Sequence, residues 1–124
     1  MKNYIRGKVV IVTGGTSGFG LSAAELLLEQ DAKVVITGRN PERLQAAEKQ
    51  LAHDQLLAVR ADAVSTADWK ETIRQTLERF GRIDVLVNNH GAGVKIADVE
   101  QMSDEDIQTV IEINLTSVIK GCRE

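Results

Sequence analysis

The chain has 124 residues, enough for one domain with a modest core, and its 43% hydrophobic and 27% charged residues are ordinary for a globular protein. A net charge of −3 with both signs mixed along the chain, and only 3% aromatic residues, argue against a basic, base-stacking surface for nucleic acid. The single cysteine, Cys122, rules out an internal disulfide, no metal-ligand spacing is present, and the longest apolar runs are far too short to span a bilayer. The N-terminal MKNYIRGK has no signal-peptide core, so a cytoplasmic protein is expected.

A rhythm of short β-branched runs and amphipathic stretches fills the chain. KVVIVT (8–13) precedes a helical LSAAELLLEQ (21–30), and AKVVIT (32–37) precedes NPERLQAAEKQL (40–51). There Asn40 is placed as an N-cap and Pro41 at the first helical position, where its missing N–H costs nothing. QLLAVR (55–60) leads to STADWKETIRQTLERFG (65–81), with capping-box-like spacing of Ser65 and Asp68 at its start and Gly81 as its stop. IDVLVNN (83–89) reads as a fourth strand. The last helix opens at Ser103 and carries Ile107, Val110, Ile111, Leu115 and Val118 along one face. Strands apolar throughout and alternating with helices predict a parallel sheet covered on both sides. The fold expected is α/β and doubly wound, Rossmann-like and incomplete, with about four strands in the order 3-2-1-4.

TGGTSGFG (13–20) lies between the first strand and the first helix. Gly14, Gly18 and Gly20 would permit a tight turn, close approach of a pyrophosphate, and close helix–strand packing. The N–H groups of the first helical turn would then face the phosphates. A glycine-rich turn that binds nothing is the plain alternative; the legible strand before it and helix after it favour a nucleotide site. At the end of the second strand stands Gly38-Arg39, where NAD-binding proteins of this fold place an acidic residue against the ribose 2′-OH. An arginine there could hold a 2′-phosphate through a forked contact, so NADP is expected in preference to NAD.

Some seventy residues after the glycine loop, the fourth strand ends in NNHG (88–91). Together TGGTSGFG and NNHG resemble the short-chain dehydrogenase/reductase family, whose pattern is TGxxxGxG and then NNAG. The match runs from about Lys8 to the last residue. This resemblance implies a single NAD(P)-binding domain over 1–124, from an oxidoreductase that moves hydride between NADP(H) and a small-molecule carbonyl or secondary alcohol. It implies cofactor contacts at Gly14, Thr16, Ser17, Gly18, Phe19 and Gly20, at Asp62 and Ala63 after the third strand, and at Asn88, Asn89 and Gly91 after the fourth. Asp62 would meet adenine, while Asn88 and Asn89 would steady the fourth strand and line the adenosine ribose. Asn114, in EINLTSV, falls where the family carries the asparagine of its catalytic tetrad. His90 replaces the usual alanine and is read as a tolerated side chain directed away from the site.

The family's serine and Tyr-x-x-x-Lys proton donor are expected beyond residue 124, so the chain as given is expected to be catalytically incompetent, with Asn114 as a buried structural amide. Tyr4 and Lys8 match the spacing by chance: they precede the first strand, about 15 Å from its carboxyl end at ~3.3 Å per residue. His53 reads as a solvated surface residue. The fourth-strand edge and the apolar face of the last helix point to a homo-oligomer, with neither nucleic acid nor membrane as partner. The reading of a different class is a free-standing module that binds a nucleotide or a protein partner without catalysis.

Overall fold

The computed structural model describes residues 3–92 and 98–124. The first strand β1 (Val9–Thr13) is followed by α1 (Gly18–Glu29), β2 (Lys33–Gly38), α2 (Pro41–Leu51), β3 (Leu56–Arg60), α3 (Thr66–Phe80) and β4 (Val85–Val87). A 3₁₀ turn (Val99–Gln101) then leads into α4 (Asp104–Ile111), a π turn (Glu112–Thr116) and α5 (Ser117–Arg123). The sheet is parallel with the order β3-β2-β1-β4, as expected for a Rossmann-like fold. The register aligns Thr13 with Thr37 and Gly38 with Arg60, so the carboxyl ends of the strands share one edge.

Alternation within the strands divides the core. Val10, Val12, Val34 and Ile36 pack under α1 and α2 against Ala24, Leu28, Leu44 and Ala47. Ile11, Val35 and Val59 face the opposite layer with Phe80, Ile83 and Leu86. Both faces of the sheet are therefore covered, which is why β1 and the centre of β2 are apolar at every position except the terminal threonines.

Most element ends follow the side chains that cap them. Asn40 accepts from the N–H groups of Glu42 and Arg43, and Gly81 closes α3 with φ +78°. Ser65 accepts from Asp68 N–H, but the Asp68 carboxylate does not return the bond; it accepts from Asp62 N–H at 2.8 Å instead. The full reciprocal capping box occurs at α4, between Ser103 and Asp106. Helix α1 starts earlier than its apolar pattern, at Gly18. The fourth strand is shorter than expected, three residues rather than 83–89, because Asn89 N–H leaves the ladder for the Val87 carbonyl and the Thr13 hydroxyl.

Candidate cofactor site

A cleft of about 860 Å³ opens beyond the carboxyl ends of the strands, in the size range of small-molecule sites. The glycine loop forms one wall. Gly15 N–H bonds the Thr37 carbonyl at 3.1 Å, and Asn89 Nδ2 donates to the Gly14 carbonyl at 3.1 Å, so the loop is pinned to β2 on one side and to the end of β4 on the other. Gly14 has φ +64°, a conformation that a side chain strongly disfavours. A Cβ on Gly38 would come within 2.6 Å of Thr16 Cγ2, so the end of β2 and the loop touch.

Helix α1 begins differently from α2, α3 and α4. Helices α2, α3 and α4 each open with a side-chain cap and an acidic residue in the first turn; α1 has neither. Its first ladder bond is Leu21 N–H to Ser17 O at 3.2 Å, so the N–H groups of Gly18, Phe19 and Gly20 point out along the axis. The Ser17 hydroxyl caps nothing. The positive end of the helix dipole is left without a negative side chain at the mouth of the cleft, an arrangement suited to an anion.

Of the residues singled out from the sequence, Gly14, Thr16, Ser17, Phe19, Arg39, Asp62, Ala63, Asn89 and Gly91 line this cleft. Gly20 lies buried behind the loop, and Gly18 opens the helix without lining the cleft. Asn88 does not line it either: its Nδ2 lies 3.7 Å from Cys122 Sγ, and its Oδ1 is buried with no partner among the described residues. Asn89 does the steadying, through Gly14 and Thr13. Asp62 accepts from Val64 N–H at 3.1 Å while its own N–H is held by Asp68, fixing the turn after β3. Arg39 is exposed at the rim, and Arg43, one turn into α2, shares the lining. Arg43 was not singled out from the sequence, although its place in the first turn after Asn40 brings it back over the strand end.

Asn114 sits in the π turn and is exposed rather than buried. Its Nδ2 donates to the carbonyls of Ala92 (2.8 Å) and Val110 (3.0 Å), and its Oδ1 accepts from Ala92 N–H at 3.3 Å. It therefore satisfies backbone groups, as expected, and clamps the loop after β4 in the manner of a paired strand. A Cβ on Gly91 would stand 2.9 Å from Asn114 Oδ1, so this loop position passes close to the amide.

His90, expected as a tolerated side chain directed away from the site, instead lines the cleft and is bonded at both ring nitrogens. Its imidazole is part-buried, bonded at Nδ1 to Thr13 and at Nε2 to Ser117, with the Trp69 ring edge-on at 6.2 Å. Burial holds its pKa below the ordinary imidazole value, and the nearby Asp62 charge opposes that shift only in part. Tyr4 is exposed ahead of β1, at the opposite end of the sheet from the cleft. His53 is exposed, its Nδ1 accepting from Gln55 N–H. Among the described residues no cluster of His, Cys, Asp or Glu could hold a metal ion, and no helix is long and apolar enough to cross a membrane.

Residues 8–124 match the family model described as short chain dehydrogenase. The chain is 39% identical over 124 residues to the NADP-dependent (R)-specific alcohol dehydrogenase of Lentilactobacillus kefiri, covering 99% of this chain and 49% of that protein. It is 40% identical over 128 residues to the 3-beta-hydroxysteroid dehydrogenase of Comamonas testosteroni, covering 100% and 48%. Among solved structures, the 3-ketoacyl-(acyl-carrier-protein) reductase from Brucella melitensis complexed with NADH superposes with a TM-score of 0.90 at 34% identity, over 96% of this chain and 48% of that one. The chain spans about half the length of the relatives it matches.

Proposed function

Because the chain belongs to the short-chain dehydrogenase family, we propose that it is the NADP-binding part of an oxidoreductase acting on a carbonyl or secondary alcohol. The observation that carries this reading is the uncapped, acid-free start of α1 facing a cleft rimmed by Arg39 and Arg43. The start of α1, which meets the cleft at Ser17 and Phe19, would hold the pyrophosphate, and Asp62 and Ala63 the adenine end. When bound, the nicotinamide cofactor supplies or accepts the hydride. Asn114 would keep the loop at Gly91–Ala92 in place beside it, and the protein would work as a homo-oligomer.

The choice between cofactors falls on the residue after β2. A relative named NADP-dependent and a solved relative holding NADH both share this fold, so the fold alone does not select. Arg39 repels no phosphate and presents a fork that matches one. Fluorescence titration should show NADPH bound more tightly than NADH, and Arg39→Asp should reverse the order. Equal affinities that the substitution leaves unchanged would remove the phosphate role from Arg39. A non-catalytic nucleotide- or protein-binding module is the reading that gains if neither cofactor binds.

A further inference from the structure

His90 bonds at both ring nitrogens inside the protein, and the bonding capacity of its partners restricts its state. Thr13 Oγ1 already accepts two backbone N–H groups, from Asn89 at 3.1 Å and from His90 itself at 3.2 Å. Both of its lone pairs are then used, and its single proton can go to His90 Nδ1 at 2.7 Å or to the more distant Val87 carbonyl at 3.2 Å. At the other end Ser117 Oγ donates to the Ile113 carbonyl at 2.5 Å, which leaves it to accept from His90 Nε2 at 2.6 Å. One form of the ring satisfies every partner: neutral, with its proton on Nε2.

The residue gripped in this way has a particular place. Ser117 closes the π turn, its N–H reaching five residues back to Glu112 O, and Asn114 lies inside that turn. Such turns need outside support, because a five-residue step interrupts the regular ladder. We propose that His90 is a positioning residue: a neutral Nε2–H imidazole that locks the end of β1 to the closing residue of the π turn and so holds Asn114 against the Gly91–Ala92 backbone. The anchor is rigid on its other sides. Trp69 is buried, donates its indole N–H to the Ala63 carbonyl at 2.8 Å and packs on Gly121, where a Cβ would stand 2.6 Å from the ring.

The lock opens in acid. A charged ring must donate from Nδ1 to a Thr13 oxygen whose lone pairs are both taken. Asp62, on the turn after β3, favours the charged form, but burial outweighs it; Lys120 on α5 is engaged with the Val64 carbonyl, and Thr13, Trp69 and Ser117 carry no charge. With the folded pKa below an unfolded value of about 6.5, the contribution is complete above that value and is lost as pH falls through the folded one.

Nitrogen-15 spectra of histidine-labelled 124-residue chain test this. His90 should be neutral at pH 7, protonated on Nε2, and should titrate below the ordinary imidazole value of about 6.5. At fixed pH, the Asn114 side-chain amide should exchange roughly fivefold faster in His90→Ala, the scale of one lost hydrogen bond, while Val35 in the core of β2 keeps its wild-type rate. Ser117→Ala should loosen Asn114 in the same way and serves if His90→Ala does not fold. A proton on Nδ1, a charged ring at pH 7, or an Asn114 exchange rate unchanged in the folded variants would overturn the proposal. Only the use made of Asn114 rests on the proposed function; none of these readouts needs cofactor, so a failure of NADPH binding and a failure of the lock are separate results.

Discussion

A methyl group added at Gly20 would sit 2.3 Å from the Gly14 carbonyl oxygen and 2.4 Å from Asn89 Nδ2. Neither neighbour can yield: the first is backbone, and the second is the side chain that pins the loop. At Gly7, which unlike Gly20 is in the left-handed region, with φ +74°, nothing lies within 4 Å. Gly20→Ala should therefore cost about 3 kcal/mol, as overpacking against fixed atoms does, and should abolish NADPH binding. Gly7→Ala should cost about 1 kcal/mol of backbone strain and leave binding intact, since Gly7 precedes β1 at the far end of the sheet. Urea unfolding and a binding titration on both variants check this; a Gly20→Ala chain with wild-type midpoint and affinity would show that the loop has room to spare. The glycines were legible in the sequence because their spacing is itself the geometric requirement. His90 was not, because its meaning lies in partners 77 and 27 residues away, Thr13 and Ser117, that no local pattern joins. Asn88 and Asn89, adjacent and chemically alike, show the same limit: neighbours on an extended segment point opposite ways, and only the fold decides which meets the cleft.

At the scale of elements, the caps and stops that a sequence displays locally are those the structure keeps: Asn40, Pro41, Ser65, Gly81 and Ser103 all stand at their expected places. What departs does so through contacts between elements. Asp68 abandons the reciprocal cap for Asp62 N–H, and in doing so fixes a turn that lines the cleft. Asp84 does comparable work at the other end of the sheet. Its carboxylate accepts from Val9 N–H at 2.9 Å, tying the turn before β4 to the first residue of β1, and Arg82 sits against it. The Val9 bond is the largest cause, and Arg82 a smaller one, of a pKa held below the usual carboxylate value. A depressed folded pKa means that the unfolded chain takes up the proton first as pH falls. The stability that Asp84 contributes is thus complete above an unfolded value of about 3.9 and lost as pH falls through the folded value. Urea midpoints followed from pH 7 to pH 2 should fall more steeply for the natural chain than for Asp84→Asn, with the two curves converging in acid. Parallel curves would mean that the charge on Asp84 does nothing for the strand.

For the whole molecule, the sheet order β3-β2-β1-β4 leaves β4 at an edge among the described residues, and the helix beyond it presents a stripe to water. Ile107, Ile111, Leu115 and Ile119 are 44%, 42%, 57% and 58% exposed, four large apolar side chains at steps of four residues. In a regular α-helix such steps overshoot the 3.6-residue turn and the row drifts around the axis; the wider π turn at Glu112–Thr116 takes up part of that drift. Burying what remains exposed of four such side chains is worth on the order of a few kcal/mol, a sizeable fraction of a typical stability of about 5–15 kcal/mol. Strand β4, only three residues long, offers little edge for pairing, so the helix is where association should concentrate. We expect the 124-residue chain to sediment as a dimer or larger species at micromolar concentration, and Leu115→Lys to weaken that association at least roughly tenfold, since a charge carried into an apolar contact costs more than the ~1.4 kcal/mol that tenfold represents. Leu115→Lys should leave the far-ultraviolet dichroism unchanged, because among the described residues Leu115 belongs to neither of the two core clusters that pack on the sheet. A monodisperse monomer at that concentration, unfolding cooperatively, would mean that the stripe is stable in water and that the homo-oligomer is wrong.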